Sequence, residues 1–217
     1  MFSNKLKVAV IGLASIFSMS NANASLMVEQ YDDFWSTDVN ALINYADNNV
    51  ASTTSYWDYI DFTDDPSGFA GEIPGSNFWP SAGANLGTGH ALNTTFFAKI
   101  TGAFTTSTAD TYRFQTYNDD GVFLFVDGDL VINDPNLHGE ARFEGTKLLG
   151  AGNHSVELYF FENGGEASLE FTVAQGNGSF VHFNDPNGPV TLTDVPEPTT
   201  LAMLTLAGLG LSLRRKR

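Results

Sequence analysis

Two apolar runs joined by an Asp-Gly pair constrain the fold of this chain more than any other feature. Val122 to Val126 is uninterrupted apolar sequence, Asp127-Gly128 follows it, and Leu130 to Ile132 resumes the apolar pattern. An Asp-Gly pair between such runs predicts a β-hairpin, because a type I′ turn needs positive φ at both central residues. We therefore expect adjacent antiparallel strands here and assign Asp127 to turn chemistry.

Two further pairs of alternating segments are interpreted as hairpins. Every second residue is small or apolar from Phe96 to Phe104, and this spacing returns from Tyr112 to Thr116. Val156 to Phe160 and Leu169 to Val173 alternate in the same way around an Asn-Gly-Gly turn. Period-two alternation is typical of strands with one buried face. Several hairpins with one apolar face each predict an all-β protein, an antiparallel β-sandwich in which two sheets cover each other.

Only one segment has helical spacing, so at most one short helix is expected. Its apolar face is formed by Val39, Leu42, Ile43 and Ala46. Ser36 or Thr37 is the predicted N-cap. Residues 175–194 are rich in Gly and Asn and are interpreted as an exit segment and linker. The predicted domain therefore occupies residues 25–174.

The N-terminus is typical of a secretory signal peptide. Two lysines precede an apolar run from Val8 to Phe17, and Ala22-Asn23-Ala24 supplies small residues at the cleavage positions before Ser25. A membrane anchor would need about 20 apolar residues, and this run is shorter. Residues 1–24 are predicted to be removed by signal peptidase.

The C-terminus combines a Pro-Glu-Pro motif, an apolar run and a basic end, in that order. Pro196, Glu197 and Pro198 precede the run from Leu201 to Leu213, and Arg214-Arg215-Lys216-Arg217 follows. Prolines enforce an extended entry, the apolar segment can enter a membrane as a helix, and the basic end stays cytoplasmic. A helix of this length rises only about 20 Å, which favours temporary insertion over a permanent anchor.

This order resembles the PEP-CTERM sorting signal of Gram-negative bacteria that make exopolysaccharide. The resemblance assigns the sorting signal to residues 195–217, with Pro196, Glu197, Pro198, Arg214 and Arg215 as its key residues. It implies that the precursor passes transiently through the inner membrane, that an exosortase cuts near the motif, and that the product reaches the cell surface or extracellular matrix. A plain C-terminal membrane tail is the alternative.

The composition excludes several classes of function. The chain has 25 acidic and 10 basic residues, a formal net charge of −15, and no cysteine. Nucleic acids and anionic membrane surfaces bind proteins through Lys and Arg, so this balance argues against both partners. Without cysteine, the chain has no disulfide, thiol nucleophile or cysteine-ligated metal site.

Catalytic motifs are also absent from the sequence. The four histidines (His90, His138, His154 and His182) do not have the spacing of a zinc enzyme, and no Gly-x-Ser-x-Gly motif is present. We therefore do not predict an enzyme.

Three blocks in a specific order resemble the protective-antigen domain of toxins, glycosidases and yeast adhesins. They are Phe-Ala-Lys-Ile-Thr-Gly at 97–102, Ala-Asp-Thr-Tyr-Arg-Phe at 109–114, and Asn-Asp-Asp-Gly-Val-Phe-Leu-Phe-Val-Asp-Gly at 118–128. A later segment at 149–160 also fits the family. The resemblance covers roughly residues 25–173 and implies a β-sandwich of a kind often used to bind carbohydrate.

Within the yeast adhesin branch of this family, two adjacent aspartates joined by a cis peptide ligate calcium, which chelates sugar hydroxyls. The resemblance therefore implies that Asp119 and Asp120 bind calcium and carbohydrate, with Asn163 as the candidate third ligand from a neighbouring turn. Calcium takes about six to eight oxygen ligands, and an acidic, lysine-poor loop suits it. The alternative is that both aspartates are turn residues chosen for their backbone conformation.

Trp79 is the candidate for stacking on a sugar ring, because Phe78-Trp79-Pro80 lies among loop residues; core packing is the alternative. Two functions then remain. The first is a secreted module that binds extracellular polysaccharide or another glycan, with calcium as cofactor, in exopolysaccharide or biofilm association. The second is a structural matrix protein without a ligand, and a carbohydrate-active enzyme is a distant third.

Overall fold

The protein is a two-layer sandwich of β-strands with one helix, within the residues 24–64, 70–81 and 95–193 that the computed structural model describes. In chain order the elements are β1 (Leu26–Asp32), α1 (Val39–Asn48), β2 (Thr53–Trp57), β3 (Asp61–Thr63), β4 (Asn77–Phe78), β5 (Phe96–Thr106), β6 (Asp110–Asp119), β7 (Gly121–Val126), β8 (Asp129–Asp134), β9 (Ala141–Leu149), β10 (Gly152–Glu162), β11 (Ser168–Gln175), β12 (Val181–His182) and β13 (Val190–Thr193).

Within the described residues, the strands form a seven-stranded first sheet and a six-stranded second sheet. The first has the order β2-β1-β5-β10-β7-β8, with β13 also paired to β5, and the second has the order β4-β3-β11-β6-β9, with β12 paired to β11. Among these described strands, every pairing is antiparallel except that of β3 with β4. Large side chains of both sheets share one core, including Leu124 and Phe160 from the first and Phe114 and Phe171 from the second. The predicted antiparallel sandwich is confirmed.

The hairpin around Asp127-Gly128 is also confirmed. β7 and β8 pair antiparallel, and both turn residues have positive φ, 50° at Asp127 and 78° at Gly128. The Asp127 carboxylate serves the turn, because its Oδ1 accepts a hydrogen bond from the backbone N–H of Ser155 at 2.8 Å. The Asp-Gly pair therefore predicted both the position and the backbone conformation of this turn.

The other two expected hairpins are wrong, because their strands lie in different sheets. β5 belongs to the first sheet and β6 to the second, and β10 and β11 are divided in the same way. Alternation marks one buried face on each strand, but a short polar turn can join strands side by side or carry the chain across to the facing layer. The sequence pattern is the same in both cases.

The helix occupies the predicted segment but has a different cap. Neither Ser36 nor Thr37 caps it; the Asp38 carboxylate accepts a hydrogen bond from the backbone N–H of Asn40 at 2.9 Å. Leu42 is fully buried on the outer face of the first sheet. It packs there with Tyr31, Phe97, Phe123, Tyr159 and Phe161.

The interpretation of residues 175–194 as an exit segment and linker is wrong for residues 181–193. This stretch adds β12 to the second sheet and β13 to the first. Phe183, Val190 and Leu192 are buried in the shared core. The Gly and Asn residues that suggested a linker form the turns around two short strands.

Residues 1–23 and 194–217 lie outside the described residues. The predicted signal peptide and sorting signal, with Pro196, Glu197, Pro198, Arg214 and Arg215, are therefore not part of the described structure. Within the described part, α1 is too short to span a bilayer.

Candidate metal and carbohydrate site

Asp119 and Asp120 lie where the chain crosses from the second sheet to the first. Asp119 ends β6 and Gly121 begins β7, and the peptide bond between the two aspartates is cis, as the resemblance implied. A side chain at position 121 would overlap the ring of Phe161, so this crossing requires glycine. The crossing places both carboxylates at one end of the sandwich.

A second crossing brings Glu162 to the same place. Glu162 ends β10 in the first sheet, and the chain then passes to β11 in the second. Phe161 and Gly121 are register partners, so their neighbours Glu162 and Asp120 also lie close together. Carboxylate oxygens of Asp119, Asp120 and Glu162, hereafter the first cluster, lie within 4.8 Å of one another.

Backbone N–H groups hold the Asp120 carboxylate in position. Its Oδ1 accepts a hydrogen bond from His138 N and its Oδ2 accepts one from Asn163 N, both at 2.9 Å. Each oxygen retains a lone pair for a cation. The structure thus brings Asn163 to the site through its backbone, and ligation by its side-chain amide stays a prediction.

Glu162 is buried, with only 1% of its surface exposed. Its Oε1 accepts a hydrogen bond from Gly164 N at 2.6 Å, whereas its Oε2 is buried and has no hydrogen-bond partner among the described residues. Burial, followed by repulsion from Asp120, raises the pKa of Glu162 to about 9. A buried carboxylate oxygen without a partner is costly, which makes this atom the least satisfied part of the site.

Asp119 is affected by the same environment. Burial and then the charge of Asp120 raise the pKa of Asp119 to about 7. Carboxylates held so close disfavour one another's ionised form. A divalent cation between them would reverse this effect, because it favours the ionised form of all three.

A buried polar network holds the backbone of Asp120 in position. The Asn118 amide donates to the backbone oxygen of Asp120 at 2.6 Å and to Asp134 Oδ2 at 2.9 Å. His138 Nε2 lies 2.7 Å from the same Asp134 oxygen. Burial acts to lower the pKa of His138, whereas the hydrogen bond to Asp134 acts to raise it. The net result is a pKa of His138 above its usual range. The network joins β6, β8 and the following loop, so it fixes the aspartate pair relative to both sheets.

Trp79 is not at a ligand surface, so the prediction that it stacks on a sugar ring is wrong. Its side chain is 2% exposed and its ring stacks on Phe160 with centroids 4.7 Å apart. Its Nε1 donates to Ala167 O at 3.1 Å. The neighbouring proline suggested a loop, but the indole belongs to the core.

Glu162 is the site residue that sequence reasoning missed, although the sequence contained a signal for it. Val156, Leu158 and Phe160 face the core on alternate positions of β10. The same period places Glu162 on that inward face. A carboxylate on an apolar face, immediately before a turn, indicates a functional or specially paired group.

The sequence matches two family models. The PA14 domain matches residues 47–179, and the PEP-CTERM protein-sorting motif matches residues 194–217. The sorting motif indicates an exported protein that is processed by an exosortase. No curated protein matches the sequence.

Several solved structures share the fold. The PA14 sugar-binding domain from an RTX adhesin is 23% identical, with a TM-score of 0.57, over 75% of this chain and 96% of that one. The PA14 domain of the MpAFP antifreeze protein is 17% identical, with a TM-score of 0.56, over 81% and 95%. An epithelial adhesin A domain from Candida glabrata, solved with Galb1-4GlcNAc, is 11% identical, with a TM-score of 0.51, over 81% and 92%. At these identities the similarity shows the fold alone.

Proposed function

This chain belongs to the PA14 domain family, and from that premise we propose that its sandwich binds carbohydrate through a calcium ion held by the first cluster. The sorting motif supports an exported location at the surface or in the extracellular matrix of a Gram-negative bacterium. The proposed ligand is an exopolysaccharide of that matrix, and the proposed role is biofilm association.

The observation that carries the proposal is the unpartnered Oε2 of Glu162 beside the two aspartates. The Glu162 carboxyl can lose its proton in so buried a place only if a positive charge compensates it, and a bound cation would supply that charge. The ligand atoms that this cluster offers are all oxygens, which suits calcium better than metals that favour nitrogen or sulfur. Asp119, Asp120 and Glu162 would supply one oxygen each or more.

The proposed geometry leaves room for sugar hydroxyls. Calcium takes about six to eight oxygen ligands, more than three carboxylates and the Asn163 amide provide in monodentate fashion. Adjacent hydroxyls of a sugar can fill the remaining positions. Because three carboxylates exceed the charge of one Ca²⁺, neutral hydroxyl-rich sugars are favoured over anionic ones. The sugar-binding RTX adhesin domain and the adhesin domain solved with a disaccharide support a glycan ligand in general.

The test uses the exported protein after treatment with chelator. Calcium is titrated calorimetrically, and retention on the producer's own exopolysaccharide is then measured with and without calcium. We expect the double variant Asp119→Asn, Asp120→Asn to lose calcium binding and calcium-dependent retention. Asp129→Asn, an exposed aspartate on β8, is the matched control and should retain both.

Two results would contradict the proposal and favour one of the alternative functions. Retention that is unchanged by chelator and by the double variant would favour the structural matrix protein. Release of soluble sugar from the polysaccharide during the assay would favour the carbohydrate-active enzyme.

A further inference from the structure

A second group of possible metal ligands lies on the outer face of the second sheet. Asp61 on β3 and Glu170 on β11 are register partners, and His182 on β12 is paired two positions further along β11. One ligand atom from each of the three side chains lies within 4.8 Å of the others. These three residues, hereafter the second cluster, share no member with the first.

The two carboxylates of the second cluster are buried. Asp61 is 0% exposed, and its Oδ1 has no hydrogen-bond partner among the described residues. The other oxygen, Oδ2, lies 3.1 Å from His182 Nε2. The Asp61 carboxylate therefore faces His182 through Oδ2, while Oδ1 is a buried acceptor without a hydrogen bond among the described residues.

A loop closes over Glu170. Its two carboxylate oxygens accept hydrogen bonds from Glu72 N at 3.2 Å and from Ile73 N at 2.7 Å. A side chain at Gly71 would overlap the Glu170 carboxylate, so glycine permits this close approach. These bonds fix Glu170 and leave each of its oxygens a lone pair.

No lysine or arginine compensates the buried carboxylates, as far as the described residues extend. Each of the four basic side chains there bonds elsewhere: Lys99 to Glu157, Arg113 to the carbonyls of Gly176 and Gly178, Arg142 to Glu144, and Lys147 to Asp129. Two buried carboxylates with only an imidazole beside them are costly to ionise unless a positive charge lies close to them.

The imidazole of His182 is already oriented for ligation. The ring of Tyr59 stacks on it, with centroids 4.6 Å apart and an interplanar angle of 10°. This stacking restricts rotation of the imidazole plane. His182 Nε2 faces Asp61, at 3.1 Å from Asp61 Oδ2.

We propose that Asp61, Glu170 and His182 bind a divalent transition-metal ion, represented by zinc, at a site separate from the calcium site of the first cluster. Zinc accepts imidazole nitrogen and carboxylate oxygen together, whereas calcium is bound by oxygen ligands. Two donors that each lie about 2.1 Å from one zinc ion are about 3 to 3.5 Å apart, which agrees with the Asp61–His182 spacing. The ion would pin β12 and the 70–75 loop to the second sheet.

The test is a zinc titration of the tag-free exported protein in millimolar calcium, so that the first cluster is occupied. We expect one zinc per chain. His182→Gln should weaken zinc binding by at least the roughly 10- to 100-fold that loss of an outer-shell partner costs. The matched control is His154→Gln, since His154 also pairs with an aspartate, Asp127, but lies outside the cluster. The control should bind zinc as the wild type does.

Cobalt(II) added to the wild-type protein provides a measurement that needs no variant. It should give visible d–d absorption, and the NMR signals that it shifts most should belong to Asp61, Glu170 and His182. Absence of zinc binding, equal loss in His154→Gln, or cobalt shifts centred on Asp119 and Asp120 would each overturn the proposal. Because the double variant Asp119→Asn, Asp120→Asn should keep its zinc, failure of the calcium proposal can be distinguished from failure of this one.

Discussion

Glu162 and Asp120 bring carboxylate oxygens within 4.8 Å of each other although they lie at two different crossings between the sheets. Repulsion from Asp120 is, after burial, the main cause of the raised pKa of Glu162, about 9. In the absence of a cation, Glu162 therefore keeps its proton at neutral pH. If calcium binds here as proposed, it must displace that proton.

The first prediction concerns stability and pH. Folding raises the pKa of Asp119 from 3.8 to about 7 and that of Glu162 from 4.5 to about 9. Between about pH 4 and pH 9 the folded state thus binds more protons than the unfolded chain, so these groups stabilise the calcium-free protein less as the pH rises. The melting temperature in chelator should fall over this range by more in the wild type than in Asp119→Asn, Glu162→Gln. An equal fall of the melting temperature with pH in the two proteins would contradict the raised pKa values of Asp119 and Glu162.

The second prediction separates the proposed metal role of Glu162 from its role in folding. Glu162→Gln removes the buried acid without changing its size. Calcium affinity should fall about tenfold or more, while the calcium-free protein at pH 8 should melt at the wild-type temperature or higher, because no unpaired charge can form. Glu144→Gln changes an exposed acid on β9, outside the first cluster, and is the control. Unchanged calcium affinity in Glu162→Gln would remove Glu162 from the ligand set.

The third prediction tests the hairpin turn. Gly128 has a φ of 78°, and a Cβ there would meet no atom of the described residues within 4 Å, so the expected cost of a larger residue is the backbone strain at positive φ. Gly128→Val should lower the free energy of unfolding by about 1 to 3 kcal/mol in a denaturant titration. Gly150, with equally open space and no positive φ, is the matched control, and Gly150→Val should cost less. Equal costs would show that the turn conformation is not what matters.

The fourth prediction tests whether residues 190–193 belong to the folded domain. Leu192 is buried between the sheets, and its neighbour Thr191 is exposed on the same strand. Leu192→Ala should lower the free energy of unfolding by about 2 to 5 kcal/mol, as expected for a core leucine. Thr191→Ala should stay within about 0.5 kcal/mol of the wild type. A harmless Leu192→Ala would restore the linker interpretation.

The fifth prediction concerns processing. Mass spectrometry of the surface or secreted fraction should find the mature chain without any peptide from residues 201–213. Replacing Pro196 and Pro198 with alanine should retain the tail, because the motif directs the cut. Recovery of intact Arg217 on mature wild-type protein would instead support a permanent C-terminal anchor.

Sequence patterns predicted strands well and their partners poorly. Alternation along β5, β6, β10 and β11 correctly marked each strand, because a buried face leaves a period of two. The choice between a hairpin and a crossing depends on contacts with strands far away in sequence. The Asp127-Gly128 turn escaped this problem because its conformation is encoded locally.

The candidate site was predictable to the extent that its residues are adjacent in sequence. Asp119 and Asp120 form a recognisable pair, whereas Glu162 reaches them only through the pairing of β10 with β7. The second cluster was invisible to spacing rules for the same reason, since its three members come from three strands. Trp79 was wrongly placed at a ligand surface, because local sequence shows that a side chain is aromatic but not whether its ring is buried.

The end of β13 at Thr193 determines how far the domain can reach. The sheet holds the chain up to this residue, and only residues 194–200 separate it from the apolar run predicted to enter the membrane. Seven extended residues span at most about 25 Å. If the tail inserts as predicted, the sandwich would therefore stay close to the bilayer and would contact only polymer near the membrane. Cleavage at the motif would then do more than release a protein, because it would extend the volume in which the domain can search for its ligand.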